Sequence, residues 1–209
     1  MKKLLLILLC FPIITIAQYG KKKSEKSQLE TIEIKAEMPN MKQKLKSVNG
    51  YSYSLESISE KNGLVVIFTS NTCPFVIKWE DRYTMVEELT KKNNLGLVYI
   101  NSNYKKRDGD DSFEKMKEHA KKYNYRSPYL LDEKSMLANS FGAKTTPHVF
   151  MFNKEFQLVY KGAIDDNYKD IDRVKEFYLK DAIEQLVYGK KIKVSETDPV
   201  GCSIKRFKP

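Results

Sequence analysis

Two continuous apolar runs, Leu64 to Phe68 and Leu97 to Ile100, have the length and β-branched content of buried strands. Between them Phe75, Val76, Trp79, Met85, Val86 and Leu89 recur at three- and four-residue spacings. Lys78, Glu80, Asp81, Arg82, Glu87 and Glu88 fill the opposite side, so this stretch predicts a helix with one apolar face. Asn93, Asn94 and Gly96 end it. Strand, helix and strand form one βαβ unit, and the fold class it predicts is α/β.

The flanking patterns add shorter elements. Asn49-Gly50 between two alternating runs predicts a hairpin over Leu45 to Leu55, and Leu55 to Glu60 one helical turn. After a charged loop, Tyr104 to Asp111, a helix begins at Ser112 and runs through Phe113, Met116 and Ala120 to Tyr123. Tyr129 to Leu131 reads as a short strand, and Lys134 to Phe141 as a short helix closed by Gly142. His148 to Phe152 and Gln157 to Gly162 make a hairpin across Asn153-Lys154. Asp172 to Tyr188 predicts an amphipathic helix, with Val174, Phe177, Tyr178, Ala182, Ile183, Leu186 and Val187 inward and Gly189 as its stop. No repeat is visible. Residues 40–189 therefore form one domain, preceded by a polar tether at 18–39 in which Thr31 to Ile34 alternates like an edge strand, and followed by a tail at 190–209.

The first residues are of another kind. Met1-Lys2-Lys3, the apolar stretch Leu4 to Ile16 and the small-residue pattern ending at Ala17 predict a secretory signal peptide, residues 1–17. The run is shorter than the ~20 residues of a spanning helix, so no stable membrane insertion is expected. Leu9 before Cys10 does not suit lipidation, and Cys10 leaves with the leader. The expected location is extracytoplasmic, periplasmic or secreted. The chain carries 37 basic and 27 acidic residues; loss of Lys2 and Lys3 leaves 35 against 27, a net +8. That excess is mostly scattered lysine, without the aromatic interleaving of a nucleic-acid module, and reads as solvated surface.

Chemistry concentrates at Cys73. Thr69 to Thr72 turn the chain after the first apolar run, and Pro74 suits the first helical position, where its missing N–H leaves nothing unpaired. Cys73 thus stands at a helix N-terminus, where open amides and the helix dipole favour a thiolate. Cys202 is the other cysteine left after processing. It lies in Asp198-Pro-Val-Gly-Cys-Ser203, a turn-like setting that would bring it over the domain. Two cysteines in an oxidising compartment form a natural pair.

A strand ending in a Cys-Pro helix start, with Thr145-Thr146-Pro147 opening a later strand, resembles the thioredoxin superfamily. More narrowly the chain is similar to its redoxin branch, the alkyl hydroperoxide reductase/thiol-specific antioxidant-like group. The similar pieces are Asn71 to Val76, Glu80-Asp-Arg82, Tyr99 to Asn103, Pro128 to Asp132, Thr146 to Phe150, Gly162 to Asn167 and Val200 to Lys205. The resemblance implies a central mixed β-sheet flanked by helices, here with an N-terminal hairpin. It implies Cys73 as nucleophile, a cis-Pro147 facing it, and Thr146 and Pro147 receiving an extended substrate. The pattern departs at two places. Val76 replaces the second cysteine of a thioredoxin pair, and Ser70 the cysteine that relatives of this branch carry three residues before the nucleophile. A peroxiredoxin would have proline where Val66 stands and arginine near Thr145-Thr146, although Ser70 matches its upstream Ser/Thr.

Other polar residues read as structural. His148 follows Pro147 and lies either near the site or in packing, and His119 is expected exposed in mid-helix. The histidines and cysteines show no zinc spacing and no haem attachment motif, so neither metal nor cofactor is expected. Asp132, Asp165 and Asp166 are read as caps or charge partners, and Trp79 as core. Arg82 falls about 13 Å along the helix from Cys73 and is assigned to a salt bridge. Two function classes stand at this level. One is an antioxidant-type enzyme of cell redox homeostasis, in which Cys73 attacks protein or small-molecule disulfides or peroxides and Cys202 or an external thiol reductant resolves the product. Thiol–disulfide exchange leads peroxide reduction within it. The other is a non-catalytic module binding extended peptides beside Pro147.

Overall fold

The computed structural model describes residues 29–207, so the predicted leader, Cys10 and the first part of the tether lie outside the described residues. The hairpin consists of β1 (Leu45–Lys46) and β2 (Ser52–Tyr53), antiparallel across Gly50, whose φ of 91° suits the turn. Helix α1 (Leu55–Ile58) follows, capped reciprocally by Ser54 and Ser57. The βαβ unit is β3 (Leu64–Thr69), α2 (Pro74–Lys92) and β4 (Gly96–Asn101), with β3 and β4 parallel. Then come α3 (Phe113–Lys122), β5 (Tyr129–Leu131), α4 (Met136–Phe141), β6 (Thr145–Thr146), β7 (His148–Phe152), β8 (Leu158–Gly162), α5 (Tyr178–Val187) and β9 (Cys202–Ser203).

The central sheet has the order β5-β4-β3-β7-β8 and is mixed: β5, β4 and β3 are parallel, and β7 runs antiparallel to β3 and β8. Its strands are buried on both faces, which is why they read as continuous apolar runs. Alternation splits them into two cores. Val65, Ile67, Leu97, Tyr99, Val149 and Met151 face α2, α3 and α5. Leu64, Val66, Phe68, Val98, Phe150 and Phe152 face α1 and α4. The result is a three-layer α/β/α arrangement of the thioredoxin-like type, and it sets Cys73 at the carboxyl end of β3.

Three expectations differ from the structure. Residues 172–177 are not part of α5, which begins at Tyr178; Ile171–Arg173 form a single 3-10 turn instead. Asp170 caps that turn by accepting from Asp172 N, and Asp166 accepts from Lys175 N, so local side-chain bonds satisfy this backbone outside an α-helix. Thr31 to Ile34 forms no strand, and residues 29–39 lie against the domain rather than as a free tether. Ile32 N donates to Phe141 O, Lys35 N to Leu158 O and Met38 N to Phe156 O, and Met38 is buried. His119 is buried, not exposed: its Nε2 lies 2.6 Å from Glu80 Oε1, beneath Tyr123 and Tyr125.

Candidate active site

Cys73 is the N-cap residue of α2 with extended backbone, and Pro74 occupies the first helical position. Its turn is held from below. Cys73 N donates to Ser70 Oγ at 3.2 Å, and Asn71 N to Asp111 Oδ1 at 2.8 Å. Asp111 is fully buried and also accepts from Asn101 Nδ2 and Asn103 Nδ2, so one carboxylate ties the cysteine turn to the end of β4 and the following loop. Nothing in the sequence singled out Asp111, because a lone aspartate in a charged loop has no periodic signature.

The peptide between Thr146 and Pro147 is cis, as the resemblance implies, and Thr146 O lies 3.0 Å from Cys73 Sγ. Pairing with β6 is supplied by the chain's own tail: β9 is antiparallel to it, with Thr145 opposite Ser203 and Thr146 opposite Cys202. The edge at Thr146 and Pro147, expected to receive substrate, is therefore occupied by residues 201–203. Nor is the tail remote. Residues 195–197 run beside β8, where Lys161 N donates to Ser195 O and Thr197 N to Lys161 O, each at 3.0 Å. Beyond β9, Ile204 N donates to Lys144 O, Lys205 N to Asn103 Oδ1, and Ile204 is buried in the second core. The tail is a strap across the mouth of the sheet.

Two glycines let it lie so close. A Cβ on Gly162 (φ +141°) would strike Thr197, and one on Gly201 would strike the carbonyl of Thr146. Gly201→Val is expected to loosen the strap at a cost of ~1–3 kcal/mol, enough to raise its open population by a factor between about five and about one hundred and sixty. Hydrogen exchange at the amides of Ile204 and Lys205 reads this directly. Unchanged protection would show that Gly201 does not hold the strap down.

The strap carries Cys202 to the Cys73 end of β6, opposite Thr146. Both are free thiols; Cys73 is only 5% exposed, whereas Cys202 is half-buried. Cys73 therefore does not sit at an open surface end of its strand. Burial pushes its thiol up, but the neighbouring Cys202 thiol and the Val76 amide outweigh that and hold it below the ordinary value. Cys202 is pushed up to about 11 by burial and by the same bond and charge seen from the other side, with Lys205 and Lys106 opposing. Of the two, Cys73 is the sulfur that loses its proton first.

The remaining polar residues serve structure. His148 is buried against Phe150, accepts from Lys144 N through Nδ1, and is held neutral by burial and nearby cations, with its pKa lowered to about 3. Its neighbour across the sheet is Phe68, on the face away from Cys73. Arg82 pairs with Asp165 at 3.2 Å, and Trp79 Nε1 donates to the same carboxylate. Asp132 accepts from the amides of Leu137 and Ala138 and caps α4. Among the described residues no group of three or more His, Cys, Asp or Glu is placed to hold a metal, and no helix is long and apolar enough to cross a membrane.

A family model described as Redoxin matches residues 33–176. No curated protein matches the chain. Among solved structures it is similar to an uncharacterized conserved protein from Geobacillus kaustophilus, at 27% identity and TM-score 0.79, covering 86% of this chain and 95% of that one. A hypothetical protein from Sinorhizobium meliloti 1021 gives 27% identity and TM-score 0.77, with 86% and 98% covered. An exposed lipoprotein thioredoxin from Streptococcus pneumoniae shares the fold at 20% identity and TM-score 0.52, with 70% and 98% covered.

Proposed function

The chain belongs to the Redoxin family, and from that premise we propose that it is a thiol–disulfide oxidoreductase with Cys73 as nucleophile and Cys202 as its resolving partner. The observation that carries this reading is the pairing of β9 with β6, which sets Cys202 opposite Thr146, the residue whose carbonyl lies 3.0 Å from Cys73 Sγ at the N-terminus of α2. In the first step the Cys73 thiolate attacks a disulfide sulfur; the S–S bond of the substrate breaks, one half leaves as thiolate, and the other half stays on Cys73. That step abolishes the charge on Cys73. Burial still opposes ionisation of Cys202, but its bond and charge partner are gone while Lys205 and Lys106 remain, so the Cys202 proton becomes easier to lose. Its thiolate then displaces the second half of the substrate and closes a Cys73–Cys202 disulfide. The asymmetry between the two thiols thus reverses at the moment the chemistry requires it.

Substrate must first reach Cys73. An extended polypeptide would need the Thr146 edge and hence the release of residues 201–204. A hydroperoxide is the second reading, favoured by that cover because it is small. It would oxidise Cys73 to a sulfenic acid with loss of water or alcohol, and condensation with Cys202 would release water and give the same internal disulfide. Residues 1–17, read as a cleaved leader, put the proposed site of action outside the cytoplasm.

The test is the pH dependence of Cys73 alkylation in the mature protein and in Cys202→Ala. The wild-type midpoint is expected below the ordinary thiol range. Removing the Cys202 donor deprives the thiolate of a hydrogen bond, so the midpoint moves upward. An ordinary midpoint that ignores residue 202 would favour the non-catalytic peptide-binding module.

A further inference from the structure

The strap is anchored on both sides of its cysteine. Before it, Glu196 pairs with the buried Lys161 at 3.1 Å, and Ala163 N donates to Thr197 Oγ1. After it, Ile204 is buried, Phe207 N donates to Ser135 Oγ, and the Phe207 ring packs edge-on against Tyr104 at 4.9 Å. Admitting a polypeptide strand beside Thr146 would break the pairing of β6 with β9 and uncover Ile204 against these anchors. With the strap closed, Cys73 keeps 5% of its surface, flanked in the chain by the exposed Thr72 and Pro74. That is access for a small molecule.

Two ammonium groups are held beside the residues that flank the cysteines. Lys106 Nζ donates to Thr72 Oγ1 at 3.3 Å, next to Cys73, and Lys205 Nζ donates to Ser203 Oγ at 3.0 Å, next to Cys202. One residue fixes both backbones. Asn103 O accepts from Lys106 N, and Asn103 Oδ1 accepts from Lys205 N. Asn103 Nδ2 in turn donates to Asp111, the buried carboxylate that holds the cysteine turn, and Lys105 N donates to Lys205 O. Both charges favour the Cys202 thiolate. Asp110 lies 3.5 Å from Lys106 Nζ but is 64% exposed, so water screens that pair and it offsets only part of one charge.

Resting on the thiol–disulfide reading above, we propose that the substrate disulfide is a small molecule bearing carboxylates, and that Lys106 and Lys205 select it by charge. The Cys73 thiolate bonds one substrate sulfur, the substrate S–S bond breaks, and the first half leaves as a thiolate. The Cys202 thiolate then bonds Cys73 Sγ and expels the second half. The substrate gains two electrons and, with the protons given up by the two cysteines, becomes two thiols; Cys73 and Cys202 are oxidised to the internal disulfide. The lysines attract the carboxylates on arrival and stabilise the thiolates as they form. The strap sets the size of the substrate and the lysine pair sets its charge.

The test follows the growth of the Cys73–Cys202 linkage, by acid quench and peptide mapping, when the reduced full chain meets dithiodipropionate or the uncharged hydroxyethyl disulfide. The ratio of the two rates cancels any effect common to both probes, including that of the lysines on Cys202. In the double variant Lys106→Gln with Lys205→Gln this ratio is expected to fall tenfold or more. In the wild type it falls in the same direction as salt is raised from ~0.01 M to ~1 M, a measurement that needs no variant. A ratio unmoved by both changes would overturn the proposal. Faster oxidation by scrambled ribonuclease than by either small probe would overturn it too, since the strap would then give way to a polypeptide. If neither small disulfide produces a Cys73–Cys202 linkage, the thiol–disulfide reading itself fails.

Discussion

Cys73→Ser is expected to remove thiol-dependent turnover by a factor of at least ~10³, because a serine hydroxyl neither ionises near neutral pH nor forms a disulfide with Cys202. The fold should hardly notice. The serine is close in size, and its hydroxyl can donate to Thr146 O as the thiol does now. Ser70 still caps the residue 73 amide, and the strap is anchored at Lys161, Lys144 and Asn103 independently of either sulfur. A stability change within ~1–2 kcal/mol follows, or a few degrees in Tm. Parallel activity and melting measurements on the purified variant check both halves. Activity surviving within tenfold of wild type would move the nucleophile elsewhere, and a larger loss of stability would make Cys73 mainly a packing residue.

Asp165→Ala is expected to have the largest effect on stability. Asp165 and Arg82 have side chains only 1% and 3% exposed, and the carboxylate accepts from Arg82 Nε, Trp79 Nε1 and Asn167 N. Removing one partner strands a buried guanidinium and a buried indole N–H, at a cost of ~3–5 kcal/mol or on the order of 10 °C in Tm. Asp81, which also binds Arg82 but is 55% exposed, offsets part of this through water-screened charge. The double replacement Arg82→Met with Asp165→Leu should recover much of the loss, since the penalty lies in the unpaired charge rather than in the missing pair. Denaturation of the two variants beside wild type decides it. A single variant within ~1 kcal/mol of wild type would show that Arg82 finds water when Asp165 is gone.

What the sequence displayed and what it concealed divide along physical lines. The βαβ unit was legible because strands buried on both faces are unbroken apolar runs and α2 carries a regular apolar stripe. Cys73 was legible because Pro74 marks a helix start immediately after a strand. Asn49-Gly50 announced the hairpin, and Thr146-Pro147 the turn facing the cysteine. The start of α5 was misplaced because Val174 and Phe177 continue the helical spacing, while the Asx bonds that end the helix at Tyr178 have no period. His119 looked exposed among lysines, since its partner Glu80 is 39 positions away. The position of Cys202 was only half legible. A turn before it was visible, but the two-residue pairing with Thr145-Thr146 is too short to leave a pattern. The close approach of Gly201 to the cis-proline turn shows only in three dimensions.

The central claim is that Cys73 and Cys202 act as one redox pair. Peptide mapping under non-reducing conditions, after treating the reduced protein with one equivalent of a disulfide or peroxide, tests it most directly. The expected product is a single Cys73–Cys202 disulfide within one chain, formed in high yield because the strap already sets Cys202 opposite Thr146, whose carbonyl lies against Cys73 Sγ. Recovery of Cys73 only as a sulfinic acid or as a mixed disulfide with the oxidant, with Cys202 still a free thiol, would contradict it.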